Sequence, residues 1–221
     1  MTYFEFLGEY GPRFLSGALL TALLTLLASM LAIAVAFCMG LMRLSTFGPV
    51  RWIAIVYIEF FRGTSLLVQL YWIYFVLPLF GLTLDNFTAG VLGVGLNLGA
   101  YGAELVRGGI QSVPRGQWEA SLALNMSPAK RMWRIIFPQA LVNMLPPWGT
   151  LLIELLKGTA LVALISVADL MFEARQINGS TYLSAEAFGT ALVIYYVFAR
   201  FIISPFMRWL EGVMARKVGR A

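Results

Sequence analysis

Residues 14–42 read FLSGALLTALLTLLASMLAIAVAFCMGLM, and no Asp, Glu, Lys or Arg occurs between Arg13 and Arg43. At about 1.5 Å of helical rise per residue, such a run crosses the roughly 30 Å hydrocarbon core of a bilayer with tilt to spare. It exceeds the apolar region of a cleaved leader, about 7–15 residues, and Glu5 and Glu9 precede it where a leader carries basic residues. The expectation is a membrane span retained in the mature protein.

The rest of the chain agrees with that solvent. It is 60% hydrophobic and 12% charged, where soluble domains carry about 25% charge. There is no His, and the single Cys38 lies inside the first apolar run as a small apolar residue. Disulfide frameworks, Cys/His metal sites and catalysis by Ser-His-Asp or Cys-His sets are thereby excluded. The net charge of +5 does not point to nucleic acid, because the basic residues cluster at the ends of apolar runs.

Apolar stretches place membrane spans at about 14–42, 52–80, 86–106, 140–167 and 187–208, separated by turn signals at Phe80-Gly81, Asp85-Asn86 and Asn178-Gly179-Ser180. The fold class is therefore all-α, a polytopic membrane bundle of five transmembrane helices in one domain over 1–221. An odd number of crossings puts the termini on opposite sides. With the N-terminus outside, the inner segments hold Arg43, Arg51, Arg107, Arg115, Lys130, Arg131, Arg134, Arg208, Arg216, Lys217 and Arg220, against Arg13 and Arg175 outside. The positive-inside rule selects N-out and C-in. Arg200 is expected to snorkel to the inner headgroups. The third span, with Ala89, Gly93, Gly95, Gly99, Gly102 and Ala103, suits close helix packing.

The longest polar segment, about 108–138, falls on the inner side and reads as two short helices. Val113-Pro114 opens the first, which runs to Leu124. Ser127-Pro128 opens the second with a capping hydroxyl and a first-turn proline, and the apolar face of Met132, Ile135 and Ile136 ends at Pro138. A loop held to anionic lipid by Lys130, Arg131 and Arg134 is the plainer alternative, but it needs neither the turn at Asn125 nor the paired caps. Outside, Ser166-x-x-Asp169 resembles a capping box and starts a short surface helix that ends near Asn178-Gly179.

Charges also occur within the spans. Glu59 and Arg62 lie in the second, Glu154 and Lys157 in the fourth, each pair three residues apart and so on one helix face. A charge at the bilayer centre costs about 2.5–3.5 kcal/mol on insertion scales, so such residues face a bundle interior or a watery cavity. The two neighbourhoods repeat one pattern. Glu59-Phe-Phe-Arg62-Gly63-Thr64-Ser65-Leu66 matches Glu154-Leu-Leu-Lys157-Gly158-Thr159-Ala160-Leu161. Both copies run from inside to outside, which makes the repeat parallel. Each pair either neutralises itself as a packing device or lines a passage, with Thr64, Thr159 and Gln69 as further polar groups at depth.

Glu119-Ala120-Ser121, Asn125, Ile135 and Pro138 resemble the E-A-A…G…I-x-L-P loop of ATP-binding-cassette import permeases, with Ser121, Asn125 and Phe137 departing from that pattern's Ala, Gly and Leu. Asn is the residue next most able to take a left-handed turn, so its departure is mild. EFFRGTSLLVQL (59–70), AYGAELVRGGIQSVPRGQWEA (100–120), Pro138-Gln139-Ala140 and Pro146-Pro147 are similar to the polar amino-acid uptake branch, which includes histidine, glutamine and arginine importers. The resemblance covers nearly the whole chain. It implies the type I importer permease fold, a coupling loop that docks on a cytoplasmic ATPase dimer, and a second permease subunit, identical or similar. It further implies an extracytoplasmic solute-binding protein at the outer surface and location in the bacterial inner membrane. ATP and Mg would belong to the ATPase, since the chain has no G-x-x-x-x-G-K-[ST], and no cofactor is expected on this chain. An amino-acid-like zwitterion needs a cation for its carboxylate and an anion for its ammonium, and Glu154 is the first candidate for the ammonium. A common amino acid, an opine and a compatible solute such as ectoine all fit. A self-contained secondary transporter needs more spans, and a membrane enzyme lacks a His base.

Overall fold

A computed structural model describes residues 3–217, so Arg220, counted above among the inner charges, lies outside the described residues. The first helix, α1, spans Tyr3–Arg43, 41 residues or roughly 60 Å. Its buried side is a stripe of small residues spaced four apart, Ala28, Ala32, Ala36 and Gly40, which lies against the Gly-rich helix α4, Asn86–Gln111. The backbones approach so closely that a Cβ on Gly102 would come within 2.8 Å of Ala36 Cβ, and one on Gly40 within 2.8 Å of the Ala103 carbonyl oxygen. Dispersion between close-packed backbones holds such a pair together in lipid, where burial from water cannot.

The segment expected as one span over 52–80 is broken. Helix α2, Gly48–Gly63, meets α3, Leu66–Tyr71, which continues through a wide π turn at Trp72–Val76 and a 3-10 turn to Phe80, and the two arms are bent by 105°. Thr64 and Ser65 between them are extended. Gly63 gives way because a helix loses more chain entropy at Gly than elsewhere, and side chains described below take up the backbone groups released.

After α4, α5 (Arg115–Ala123) is followed by α6 (Pro128–Arg131). Helix α6 does not end at Pro138 as expected. It passes through a π turn, Met132–Ile136, into α7, Phe137–Thr159, and on through a 3-10 turn to Ile165. Pro138 sits inside this continuous helix directly after the wide turn, which opens the ladder where its ring would crowd a carbonyl.

Beyond the 3-10 turn that ends at Ile165, α8 spans Leu170–Thr181. Its cap is Asp169, which accepts from Phe172 N–H at 2.9 Å, while Ser166 is not a cap but a left-handed residue (φ 62) closing the preceding turn. Buried Asp169 also accepts from the Tyr195 hydroxyl, and Thr21 Oγ1 takes the N–H of Leu170. Burial outweighs these hydrogen bonds and lifts the Asp169 carboxyl to about 6. An Arg13–Glu173 ion pair of 2.7 Å ties α8 to α1. Helix α9, Ser184–Val197, continues through a π turn at Phe198–Ile203 into α10, Ser204–Lys217.

Four described helical runs are long and apolar enough to cross a bilayer, and the bent pair makes a fifth if both arms cross together. Leu15, Leu19, Leu26, Leu192 and Phe201 face outward from this bundle, as a lipid-solvated surface requires.

Candidate functional site

The segment between α4 and α7 begins with two short helices joined by a turn, with one face packed on the bundle. Trp118 and Ile135 pack half-buried against Val113, Met132 and Ile136, and the Arg131 guanidinium lies 5.6 Å from the centre of the Trp118 ring. Ser121 is buried and donates to the Trp118 carbonyl, so a small residue is required there. Asn125 has φ 52, with its N–H on the Leu122 carbonyl at 2.8 Å. Ser127 Oγ caps the second helix at Lys130 N–H, and Gln139 reaches back to Gln117 at 3.2 Å. Glu119, Ala120, Leu122 and Leu124 remain exposed on the other side, Leu124 by 75%. That apolar face with a carboxylate at its edge has the chemistry of a helix seated in another protein's groove.

The geometry at Asn125 gives a direct test. Asn125→Gly should change uptake by less than twofold. Asn125→Val should lower it about tenfold, because a β-branched residue at positive φ costs roughly 1–3 kcal/mol. Copurification with the ATPase that the resemblance implies checks both; an unaffected Asn125→Val complex would mean the turn is not needed for docking.

Within the membrane-spanning region the two charge pairs differ. Lys157 Nζ lies 3.4 Å from Glu154 Oε1, and both side chains are more than half exposed. Glu59 and Arg62 do not pair with each other. Glu59 lies 3.6 Å from Arg43 of α1, and Arg62 stands 5.3 Å over the Tyr101 ring. Thr64 is exposed, with its hydroxyl on the Phe60 carbonyl. Thr159 and Gln69 are buried and hydrogen-bonded within the chain, Thr159 to Leu156 and Gln69 to Thr64 and Phe61. The two copies of the repeat meet: a Cβ on Gly158 would stand 3.2 Å from Leu66 Cδ2.

Sequence reading missed a charged chain beside them. Arg43 Nε lies 3.2 Å from Glu104 Oε1, and Arg107 holds Glu104 Oε2 at 2.8 Å, so Arg43 links α1 to both α2 and α4. Arg43 and Arg107 were read only as orientation charges. The available signal was Glu104, a lone carboxylate among the basic residues near the end of α4.

Comparison with known proteins places this architecture. The model of the family described as "Binding-protein-dependent transport system inner membrane component" matches residues 28–216, and the chain belongs to that family. It is 41% identical to a probable amino-acid ABC transporter permease of Sinorhizobium fredii, over 98% of this chain and 91% of that one. Other relatives include the Escherichia coli glutamine transport system permease GlnP, at 35% with 92% and 93% covered. The Bacillus subtilis L-cystine permease TcyB follows, at 38% with 84% and 78% covered. Among solved structures, an amino acid ABC transporter crystallised with histidines superposes with a TM-score of 0.88 at 38% identity, over 96% of this chain and 98% of that one. The methionine transporter MetNI shares the fold, with a TM-score of 0.81 at 17% identity over 93% and 98%.

Proposed function

We propose that this chain is the membrane path of an ATP-driven importer for an amino acid or similar zwitterion in a bacterial inner membrane. A cytoplasmic ATPase dimer that carries ATP and Mg drives it, and a solute-binding protein supplies it from outside. The chain is the permease subunit, not the enzyme. The observation that carries this reading is the Glu154–Lys157 pair, opposite charges 3.4 Å apart and exposed on an otherwise uncharged span. Such charges are stable only where water, a solute or a second permease subunit covers them. Glu59, Arg62 and Thr64 lie exposed on the adjoining copy of the repeat and complete a polar wall, whereas Gln69 and Thr159 support it from behind. Glutamine and cystine, named for relatives, are zwitterions of the required kind.

The exposed face of α5 docks on the ATPase, which requires an outside N-terminus and an inside C-terminus. The test uses the complex in proteoliposomes and single cysteines in a Cys38→Ala background. The ATPase should copurify and be stimulated by binding protein loaded with L-glutamine, L-arginine or L-cystine. An impermeant maleimide added to intact cells should label 168–187 and spare 108–134. Labelling of 108–134 would overturn the orientation, and a complex stimulated by no amino acid would overturn the solute class.

A further inference from the structure

The bend between α2 and α3 has no counterpart in the second copy of the repeat. In register the copies agree at Glu59 and Glu154, Gly63 and Gly158, Thr64 and Thr159, Leu66 and Leu161, but Gln69 falls opposite Leu164. The second copy passes from α7 directly into a 3-10 turn, while the first turns through 105°. The shared Gly-Thr therefore permits a break without causing one, and the difference lies in the amide.

Breaking a helix strands the carbonyls whose partners would lie one turn ahead. At this break two of them, on Phe60 and Phe61, have replacements. Thr64 Oγ1 donates to the Phe60 carbonyl at 2.8 Å. The Phe61 carbonyl accepts from both Gln69 Nε2 and Asn97 Nδ2, each at 3.0 Å. Gln69 Nε2 also reaches Thr64 Oγ1 at 2.6 Å, and Asn97 Nδ2 reaches Gln69 Oε1 at 2.9 Å. Gln69 and Asn97 are 6% and 5% exposed. Asn97 comes from α4, where the neighbouring Leu96 carbonyl takes the Tyr57 hydroxyl of α2 at 2.6 Å. Gly93 leaves room for Leu70, whose Cδ2 would stand 2.5 Å from any Cβ there. One turn further along α4, Tyr101 receives Arg62. Both arms of the bend are thus referenced to one face of α4.

We propose that Asn97 and Gln69 form an amide clamp that fixes the bend and so sets where Glu59, Arg62 and Thr64 stand, without touching the solute. They are positioning residues. The link to transport rests on the reading above that those three residues line the path; the bend itself does not.

The test measures the bend directly. Nitroxides replace Trp52 and Phe80 in a Cys38→Ala chain assembled with its ATPase in lipid, and pulsed electron paramagnetic resonance reads their separation. The wild-type clamp gives one narrow distance. Gln69→Leu, which copies the second repeat, and Asn97→Leu should lengthen it on the order of 10 Å or broaden it, and Gln69→Met should do so while nearly preserving side-chain length. The swap Asn97→Gln with Gln69→Asn keeps the combined reach and should return the bent distance. In the same samples, ATP hydrolysis stimulated by amino-acid-loaded binding protein should fall five- to fiftyfold in the apolar variants and recover in the swap, with unstimulated hydrolysis within twofold of wild type. An unchanged distance in the apolar variants that assemble overturns the clamp. A changed distance with full stimulation overturns the positioning role. A wild-type complex stimulated by no amino acid overturns the functional reading instead, while the distances still decide the clamp.

Discussion

Glu154→Gln leaves the chain inserted and its unstimulated ATP hydrolysis intact but lowers solute uptake about ten- to a hundredfold, and adding Lys157→Met does not restore it. The size follows from the chemistry. A hydrogen bond to a charged group contributes about 1.5–3 kcal/mol, and about 1.4 kcal/mol is tenfold in a binding constant. The rival account makes the pair a packing device. Both side chains are more than half exposed, and a solvated ion pair of that kind is worth about 0.2–1 kcal/mol, too little for the expected loss. If lipid rather than water covers the pair, a single substitution strands a charge in low dielectric. The double variant, having no charge left to strand, would then transport better than either single one. Uptake by Glu154→Gln/Lys157→Met near the wild-type rate would therefore remove Glu154 from the solute path.

Glu119→Lys uncouples the transporter: uptake falls more than tenfold, and the ATPase copurifies poorly or hydrolyses ATP without solute. Glu119 is exposed at the edge of the α5 face that carries Leu122 and Leu124. Reversing a charge at a docking face places like charges together, at a cost of several kcal/mol if the partner surface there is basic. The helix itself should persist, because Glu119 donates nothing to the Trp118, Ile135 and Met132 packing beneath. Normal uptake together with normal copurification would remove Glu119 from the interface.

Much of the loop was legible in sequence because its signals are local. Ser127 caps and Asn125 turns according to side-chain chemistry that acts within three or four residues, and both do so in the structure. The second helix was cut short at Pro138 for a local reason too, since a proline does end most helices; a π turn upstream, which no side chain announces, carries the helix past it. The sequence pattern put the cap on Ser166, with Asp169 as its partner three residues on. The fold chose Asp169, because α1 supplies Thr21 for the Leu170 N–H there.

The polar groups of the spans were found by residue type but not by role. Depth and helical period located Glu59, Arg62, Gln69, Glu154, Lys157 and Thr159, and periodicity put each charge pair on one helix face, to close on itself or to line a passage. Only Glu154 and Lys157 close on each other. Glu59 goes to Arg43 and Arg62 to Tyr101, partners about sixteen and thirty-nine positions away whose approach depends on how α1, α2 and α4 cross.

By itself the sequence determined that the chain is helical and lives in a bilayer. In hydrocarbon every backbone group must bond within its own segment, so an uncharged run such as 14–42 has no other stable form. It also determined, through Ser127, Asn125 and the apolar positions around them, a capped helix-turn-helix between two spans. The tertiary structure alone decided that the second span bends while its repeat does not. Both copies carry the weakening Gly-Thr, and a weakened helix breaks only where other groups take the carbonyls it releases. Gln69 is one such group, but Asn97 is delivered by another helix, and which helix arrives is a property of the packed bundle rather than of either segment.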